Sequence, residues 1–206
     1  MKFRIIFFLI LLILSGSVSC SKKVRASLAS VSDYLPITTG SHWSYSGDIP
    51  ETKKMTGNTK SFDGKIYHEV ENTFKDGTTR GYIYKENGNY HSRGFLGSAD
   101  DTLKLVILKD NVVAGTAWHQ TLETPRMSID YKFTIDKKNI EANVNGGVFE
   151  KVIVVKMEVG LILTGTLRPL ATVYIYFAYG IGIIQSQTIS NKGSSLYSKL
   201  ESYEIK

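Results

Sequence analysis

Apolar and polar residues alternate along most of the chain after Tyr34. In segment 127–136 the residues between the apolar positions are polar or charged. The apolar positions are Met127, Ile129, Tyr131, Phe133 and Ile135. A period of two indicates a β-strand with one face in a core and the other in water. We find no convincing stretch of helical periodicity beyond Tyr34, so the pattern predicts an all-β domain over 34–206.

Turn signals separate the alternating runs. Asn or Asp followed by Gly occurs at 63–64, 76–77, 87–88 and 145–147, and this pair supplies the positive φ angles of tight hairpins. The runs between the turns predict roughly ten to twelve strands in a single curved antiparallel sheet, half-barrel or barrel-like. The predicted strands lie at 40–47, 52–61, 65–75, 79–86, 89–95, 103–109, 117–124, 126–136, 149–159, 172–178, 182–190 and 195–205.

Segment 160–170 departs from the polar composition of the other connections. It joins two strong strands and carries five large apolar residues: Leu161, Ile162, Leu163, Leu167 and Leu170. In one interpretation the first strand continues to Leu163 and the remainder packs over an end of the barrel. In the other, the segment is a lid or an exposed apolar tip that contacts lipid or a partner.

Residues 1–19 have the three parts of a secretory signal peptide. Lys2 and Arg4 precede an uninterrupted apolar run at 5–14, and small or polar residues follow at 15–19. As a helix the run reaches about 15 Å, roughly half of a bilayer core, so it is too short to span a membrane. We therefore predict a signal helix that is cleaved after export.

The single cysteine, Cys20, follows this segment directly. Its surroundings resemble the lipobox of bacterial lipoproteins, in which the cysteine becomes the lipidated N-terminus. Ser19 fits that pattern, whereas Ser17 stands where Leu is usual. Ordinary cleavage after Ser19, leaving a free thiol, is the alternative. Lipidation would make residues 20–33 a flexible tether to a membrane, and the periplasmic face of the outer membrane is the predicted location.

Charge and cysteine content exclude several classes of function. Signal cleavage removes two of the 25 positive residues and none of the 19 negative ones, which leaves a net charge of +4. These charges are spread along the chain without a basic and aromatic stripe, so we predict no nucleic-acid partner. One cysteine excludes an internal disulfide and a zinc site built from cysteines.

Four segments, in order, resemble a broad group of bacterial secreted lipoproteins of unknown function. The segments are Tyr34 to Tyr45 with its Gly-x-x-Trp-x-Tyr element, Gly115 to Trp118, Phe149 to Lys156, and Tyr176 to Ile184 with an aromatic-aromatic-Ala-x-Gly-x-Gly element. The resemblance covers nearly the whole predicted domain. It implies a curved antiparallel sheet and an envelope location, and it offers no catalytic residues to transfer.

The residues that define these elements suggest structural roles: Gly40, Trp43, Tyr45, Gly115, Trp118, Gly180 and Gly182. Glycine allows a tight turn or bulge, and tryptophan can plug an end of a curved sheet. Trp43 and Trp118 are the only two tryptophans, and their similar settings raise the hypothesis of two duplicated halves. The pair Gly180 and Gly182 lacks the third glycine and the helix of a dinucleotide site.

Residues for catalysis or metal binding form no recognisable pattern. The chain has no Gly-x-Ser-x-Gly elbow and no His-Glu-x-x-His motif, and its four histidines are scattered. Glu69 and Glu71 share a strand face, where we interpret them as solvated charge. We therefore expect no metal, no cofactor and no enzymatic activity.

The function that the sequence favours is a non-catalytic, membrane-anchored binding module of the envelope. Its aromatic residues can line the concave face of the sheet around an apolar or lipid-like ligand. One alternative is a structural or assembly lipoprotein that binds another envelope protein through a sheet edge. A further alternative is an envelope hydrolase with a site that the sequence does not reveal.

Overall fold

A computed structural model of the protein describes residues 33–94, 103–123 and 128–206. The predicted signal peptide, Cys20 and nearly all of the predicted tether lie outside the described residues, as does Met127. Within the described ranges no helix is long and apolar enough to cross a membrane.

The described chain forms twelve strands that alternate with short turns. They are β1 (His42–Gly47), β2 (Glu51–Phe62), β3 (Lys65–Phe74), β4 (Gly77–Glu86), β5 (Asn89–Arg93), β6 (Lys104–Lys109), β7 (Ala117–Glu123), β8 (Ser128–Val144), β9 (Gly147–Leu163), β10 (Thr166–Ala178), β11 (Gly182–Ser190) and β12 (Ser195–Glu204).

All twelve strands belong to one antiparallel sheet in the order β6-β5-β4-β3-β2-β1-β12-β11-β10-β9-β8-β7. The first and last strands, β1 and β12, pair with each other at the centre of the sheet, and His42 lies opposite Glu204. The edge strands β6 and β7 approach each other, so the sheet is curled into a nearly closed barrel. The predicted all-β, barrel-like antiparallel sheet is confirmed.

The strands β8, β9 and β10 are longer than the sequence pattern indicated. In β8 the pairing register shifts between Ile135 and Ala142, which disrupts the alternation of polar and apolar residues beyond Asp136. In segment 160–170, β9 continues to Leu163 and a turn at Thr164 and Gly165 leads directly into β10. Both turn residues have positive φ, as is common in tight hairpins, so segment 160–170 forms the tip of a β-hairpin.

One face of the sheet packs into a core inside the barrel. Antiparallel partners share a face, so Phe133, Met157 and Val173 on three successive strands point to the same side. The next layer of the same face is Ile135, Val155 and Ile175, each with at most 1% of its surface exposed. This interior face positions the site described below.

The residues before β1 close one end of the barrel. Asp33 accepts a hydrogen bond from the backbone N–H of Gly180 at 2.7 Å, and Tyr34 donates its N–H to the Tyr90 hydroxyl at 3.2 Å. Tyr34 and Leu35 are buried there against the core. We term this the closed end; the turns after even-numbered strands lie here, because neighbouring strands are antiparallel. The turns after odd-numbered strands lie at the opposite end.

Candidate functional site

A pocket of about 230 Å³ lies inside the barrel, between β1–β3 on one side and β9–β12 on the other. We term it the interior pocket. Its lining is mainly apolar, with a smaller polar part: Tyr45, Ile49, Glu51, Lys53, Phe74, Met157, Val173, Ile175, Ile183, Ser186, Thr188 and Ser198. Ile49 lies in the β1–β2 turn and is 48% exposed, so the pocket reaches the end of the barrel opposite the closed end.

The pairing of β1 with β2 places two charged residues on the face that points into the barrel. In the β1–β2 ladder Lys53 lies opposite Trp43, and Glu51 lies opposite Tyr45. Cross-strand partners point to the same face of a sheet, and both aromatic residues belong to the core. Glu51 and Lys53 are therefore carried inward, against the usual preference of charged side chains for water.

The two charged side chains form a buried ion pair. Lys53 Nζ lies 2.7 Å from Glu51 Oε2, and the two side chains are only 8% and 14% exposed. The ammonium also donates to Asn72 Oδ1 at 3.2 Å. Burial lowers the pKa of Lys53, and the Glu51 carboxylate opposes that shift. The ion pair places one positive and one negative charge inside the barrel, so it adds no net charge there.

Two buried polar atoms, one on Asn72 beside this pair and one on Ser198 in β12, have no hydrogen-bond partner among the described residues. Asn72 is 1% exposed, and its Nδ2 makes no bond although its Oδ1 is held by Lys53. Ser198 is 9% exposed and lines the interior pocket, and its Oγ is likewise without a partner there. A buried polar group without a partner costs about 1–3 kcal/mol, so these two atoms destabilise the polar part of the barrel interior.

A much smaller space lies below the interior pocket. A second space of about 20 Å³, bordered by Trp43, Met55 and Lys53, is large enough for about one water molecule. Pockets for drug-sized ligands typically measure about 300–1,000 Å³. Among the described residues the interior therefore suits a ligand smaller than a lipid acyl chain.

Two of the elements singled out in the sequence meet at the closed end and form the floor of this interior. Trp43 donates its indole N–H to the carbonyl oxygen of Ile181 at 2.6 Å, and the Tyr45 hydroxyl donates to that of Ile183 at 2.9 Å. Burial and the nearby Glu51 charge raise the pKa of Tyr45, so the phenol keeps the proton that it donates. Gly182 lies against the indole, since an added Cβ would come 3.3 Å from Trp43 Nε1.

The glycines that flank these elements occupy turns. Gly40 has φ +85° in the turn before β1, and Gly180 has φ +75° in the turn between β10 and β11. Gly115 has φ +88° and precedes β7, where its N–H donates to the carbonyl oxygen of Ile135. These positive φ angles favour glycine, which accounts for the residue type at all three positions.

Trp118 takes a different position from Trp43. It stacks on Phe133 at 5.3 Å between ring centres and is half-buried, and its indole N–H donates to the Val106 carbonyl oxygen across the gap between β7 and β6. The two Gly-x-x-Trp elements therefore stabilise different parts of the barrel. Trp43 stabilises the floor, and Trp118 stabilises the seam between the edge strands β6 and β7.

The apolar residues of the β9–β10 hairpin lie near its tip, at the end of the barrel opposite the closed end. Leu161, Ile162 and Leu163 are half-buried, whereas Leu167 and Leu170 are 53% and 40% exposed. None of the five lines the interior pocket.

Scattered histidines and carboxylates form pairs rather than a cluster. His42 lies 3.8 Å from Glu204, and His119 lies 3.9 Å from Asp130. Within the described ranges no group of three or more His, Cys, Asp or Glu residues could hold a metal ion.

Glu69 is not the solvated charge that its sequence position suggested. It is 6% exposed and accepts hydrogen bonds from Thr56 and Asn58 at 3.0 and 3.1 Å. Burial works to raise the pKa of Glu69, but these hydrogen bonds, together with the Arg80 charge and a hydrogen bond from Tyr82, hold the pKa below its ordinary value. Glu69 therefore anchors the bulged middle of β2 to β3.

The inward position of Glu51 and Lys53 could not be predicted from β2 alone, because the start of this strand shows no alternation of polar and apolar residues. Polar residues occupy both faces of its first four positions, Glu51 to Lys54, so neither face is marked as buried. The available signal lies in the neighbouring strand, where Trp43 and Tyr45 share a face. Pairing that face with β2 would have assigned Glu51 and Lys53 to the interior.

Comparisons with protein-family models and with curated proteins give no match. Among solved structures, the chain is similar to a candidate lipoprotein from Parabacteroides distasonis, with a TM-score of 0.53 and 11% identity over 83% of this chain and 98% of that one. It is also similar to a candidate exported protein with a YmcC-like fold from Bacteroides fragilis, with a TM-score of 0.48 and 13% identity over 82% and 98% of the two chains. The first likeness shows a shared fold.

Proposed function

We propose that the protein is an exported, lipid-anchored envelope protein that binds a small, largely apolar ligand in the interior pocket. The observation that carries the binding role is the pocket itself. It combines apolar walls with the buried pair of Glu51 and Lys53 and with the serine and threonine residues Ser186, Thr188 and Ser198. Apolar walls with a few convergent polar groups are the usual composition of a small-molecule site.

Export and anchoring rest on the N-terminal sequence. The charged, apolar and small-residue parts of 1–19, followed by Cys20, fit a lipoprotein signal. The fold shared with a candidate lipoprotein agrees with an envelope location. The outer membrane's periplasmic face is the location that we propose.

The architecture also suggests how the ligand reaches the site. Asp33, the first described residue, lies at the closed end of the barrel, where its carbonyl oxygen accepts a hydrogen bond from Gly180. The interior pocket reaches the other end, at Ile49 and Phe74. The ligand would then enter at the end of the barrel opposite the one at which the tether joins it.

A binding role fits these groups better than acid–base catalysis. Glu51 and Lys53 form an ion pair, so each side chain stabilises the charged form of the other. This arrangement does not suit a general acid or base, which must exchange a proton with a substrate. The edge strands β6 and β7 are bridged by side chains of β7, which disfavours the alternative of a partner strand added at a sheet edge.

Titration of the purified protein with cyclohexanol tests the proposal. Ligand-detected NMR should give saturable binding in the unaltered protein and loss of binding in Ser186→Phe, because that ring would fill the pocket. Thr188→Leu is a smaller block on the same strand. Gln185→Phe places the same ring on the opposite face of β11 and should bind normally. Equal binding by the Ser186 and Gln185 variants, or no binding by the unaltered protein, would refute the proposal.

A further inference from the structure

Exposed apolar side chains collect at the end of the barrel opposite the closed end. Among the described residues seven large apolar side chains are exposed, and four of them lie on or beside the turns at this end: Ile49, Leu167, Leu170 and Leu196. We term these four residues the apolar rim. We infer that the apolar rim docks onto an anionic lipid surface. This inference concerns a second surface and does not depend on a ligand in the interior pocket.

The three hairpin ends that carry the apolar rim are joined to one another. The sheet order places the hairpins β1–β2, β11–β12 and β9–β10 side by side. Tyr197 donates its backbone N–H to the Asp48 carboxylate at 2.7 Å, which links the β1–β2 turn to β12. Asn191, in the β11–β12 turn, donates its backbone N–H to the carbonyl oxygen of Leu170 at 3.0 Å. The rim residues therefore belong to one connected surface.

The β9–β10 hairpin projects past the end of the neighbouring strand β11. Strand β10 begins at Thr166, but its pairing with β11 begins only at Ala171, opposite Ser190. Residues 166–170 therefore extend the hairpin by about 16 Å along the strand. Leu167 lies there against Gly160 of β9 and still keeps 53% of its surface exposed. A projecting tip of this kind can place leucine side chains at the boundary between lipid head groups and acyl chains.

The charges beside the projecting hairpin favour an anionic surface. Arg168 lies between the two rim leucines, Lys192 lies in the adjacent β11–β12 turn, and both side chains are exposed. No acidic residue occurs in 159–200, so these two hairpin ends have no carboxylate of their own. Asp48, in the β1–β2 turn, is bonded to the backbone of Tyr197. Each cation near an anionic membrane strengthens binding about fivefold.

A lipid surface suits this mixture of residues better than a protein partner does. The buried core of a protein interface is depleted of charged residues and forms one contiguous patch. Here Arg168 stands between Leu167 and Leu170, and small polar residues separate the three hairpin ends. At a membrane the leucines can enter the acyl boundary while the cations stay among the phosphates, because long basic side chains reach back to the head groups.

The proposed anchor allows the apolar rim to contact the same membrane. Residues 20–32 can reach about 43 Å when fully extended. The nine-residue strand β11 spans only about 30 Å between the two ends of the barrel. A tether of that reach can pass along the barrel from the closed end to the rim. Because Ile49 also lines the interior pocket, docking would bring the mouth of the pocket to the lipid surface.

Tryptophan reporters test which end of the barrel meets the lipid. Leu167→Trp places a reporter on the apolar rim, and Val113→Trp places one at an exposed position near the closed end. Each protein is reconstituted with phosphatidylglycerol vesicles that contain brominated phospholipid, and the fluorescence of the unaltered protein is subtracted. Bromine should quench the Leu167→Trp signal and leave the Val113→Trp signal unchanged. Quenching of Val113→Trp alone, equal quenching of both, or quenching of neither would overturn the inference.

Partitioning of the Cys20→Ser protein separates the contribution of the apolar rim from that of the anchor. This protein should bind phosphatidylglycerol vesicles about as marginally as a single acyl chain does, so the vesicles are supplied at roughly millimolar lipid. Adding Leu167→Ser and Leu170→Ser should weaken the partitioning at least tenfold. Adding Arg168→Gln and Lys192→Gln instead should weaken it about thirtyfold. Vesicle sedimentation measures all three proteins.

A matched control makes the same change at the other end of the barrel. Ile66→Ser with Val113→Ser, both at exposed positions near the closed end, should partition like the Cys20→Ser protein from which it is made. An equal loss in this control, or no binding by the Cys20→Ser protein itself, would overturn the inference. Gel filtration without vesicles provides a further check. A change of elution volume on replacing the rim leucines would assign the surface to contact between copies of the chain and would also overturn lipid docking.

Discussion

Trp118 donates its indole N–H to the backbone carbonyl oxygen of Val106 at 2.8 Å, which joins the two edge strands of the sheet. Gln120, two residues further along β7, completes the bridge by accepting the N–H of Val106 at 2.9 Å. The seam of the barrel is therefore closed by side chains that bond a strand edge, rather than by a backbone ladder. This also occupies exposed edge groups that could otherwise pair with another chain.

The first prediction compares the two tryptophans. Trp118→Phe keeps the aromatic surface but loses the bond to Val106, so the free energy of unfolding should fall by about 1 kcal/mol. Trp43→Phe should cost more, about 2–3 kcal/mol, because it leaves the Ile181 carbonyl oxygen unpaired beside a side chain that is 5% exposed. Denaturant unfolding followed by circular dichroism measures both. Equal losses would contradict the different roles assigned to the floor and the seam.

The second prediction concerns the buried ion pair. Lys53→Met leaves the Glu51 carboxylate buried without its partner at 2.7 Å, so it should lower the free energy of unfolding by about 3–5 kcal/mol. The double variant Glu51→Gln with Lys53→Met removes both charges and should recover most of that loss. Urea denaturation of the two variants gives the comparison. A double variant no more stable than Lys53→Met would argue against a coupled pair.

Strand positions were largely predictable from the sequence, whereas the pocket was not. Alternation in segments such as 127–136 and the Asn-Gly and Asp-Gly turns depend on local chemistry, which a single chain displays. The inward placement of Lys53 depends on its pairing with Trp43, a relationship between strands. The β9–β10 hairpin was ambiguous for a similar reason, since its apolar residues on both faces gave no period to follow.

The third prediction is a pH dependence that arises from His91. Burial, with the positive charge of Lys104, lowers the pKa of His91 below 6.5, while Glu86 opposes the shift. The unfolded chain therefore binds more protons than the folded one in the interval just below pH 6.5, so the free energy of unfolding rises with pH across it. His91→Gln should flatten this rise, as measured by thermal unfolding in a series of buffers. His119→Gln, at a ring that is 61% exposed, is the control and should leave the rise unchanged.

The fourth prediction addresses the proposed anchor. Cys20→Ser removes the only thiol in the chain, so the protein should pass from the membrane to the soluble fraction of exporting cells and lose labelling by a fatty-acid analogue. Fractionation with immunodetection measures the first effect and gel fluorography the second. Ser21→Ala, one residue away, serves as the matched control. Membrane association that persists in Cys20→Ser would refute lipid anchoring.

The location of bound cyclohexanol tests the central claim most directly. Intermolecular nuclear Overhauser effects between the ring and the protein's methyl groups report which apolar surface it contacts. Binding in the interior pocket predicts contacts with Met157, Ile175 and Ile183, which line it. Contacts confined to Leu167 and Leu170, on the exposed part of the β9–β10 hairpin, would contradict the claim that the interior pocket is the binding site.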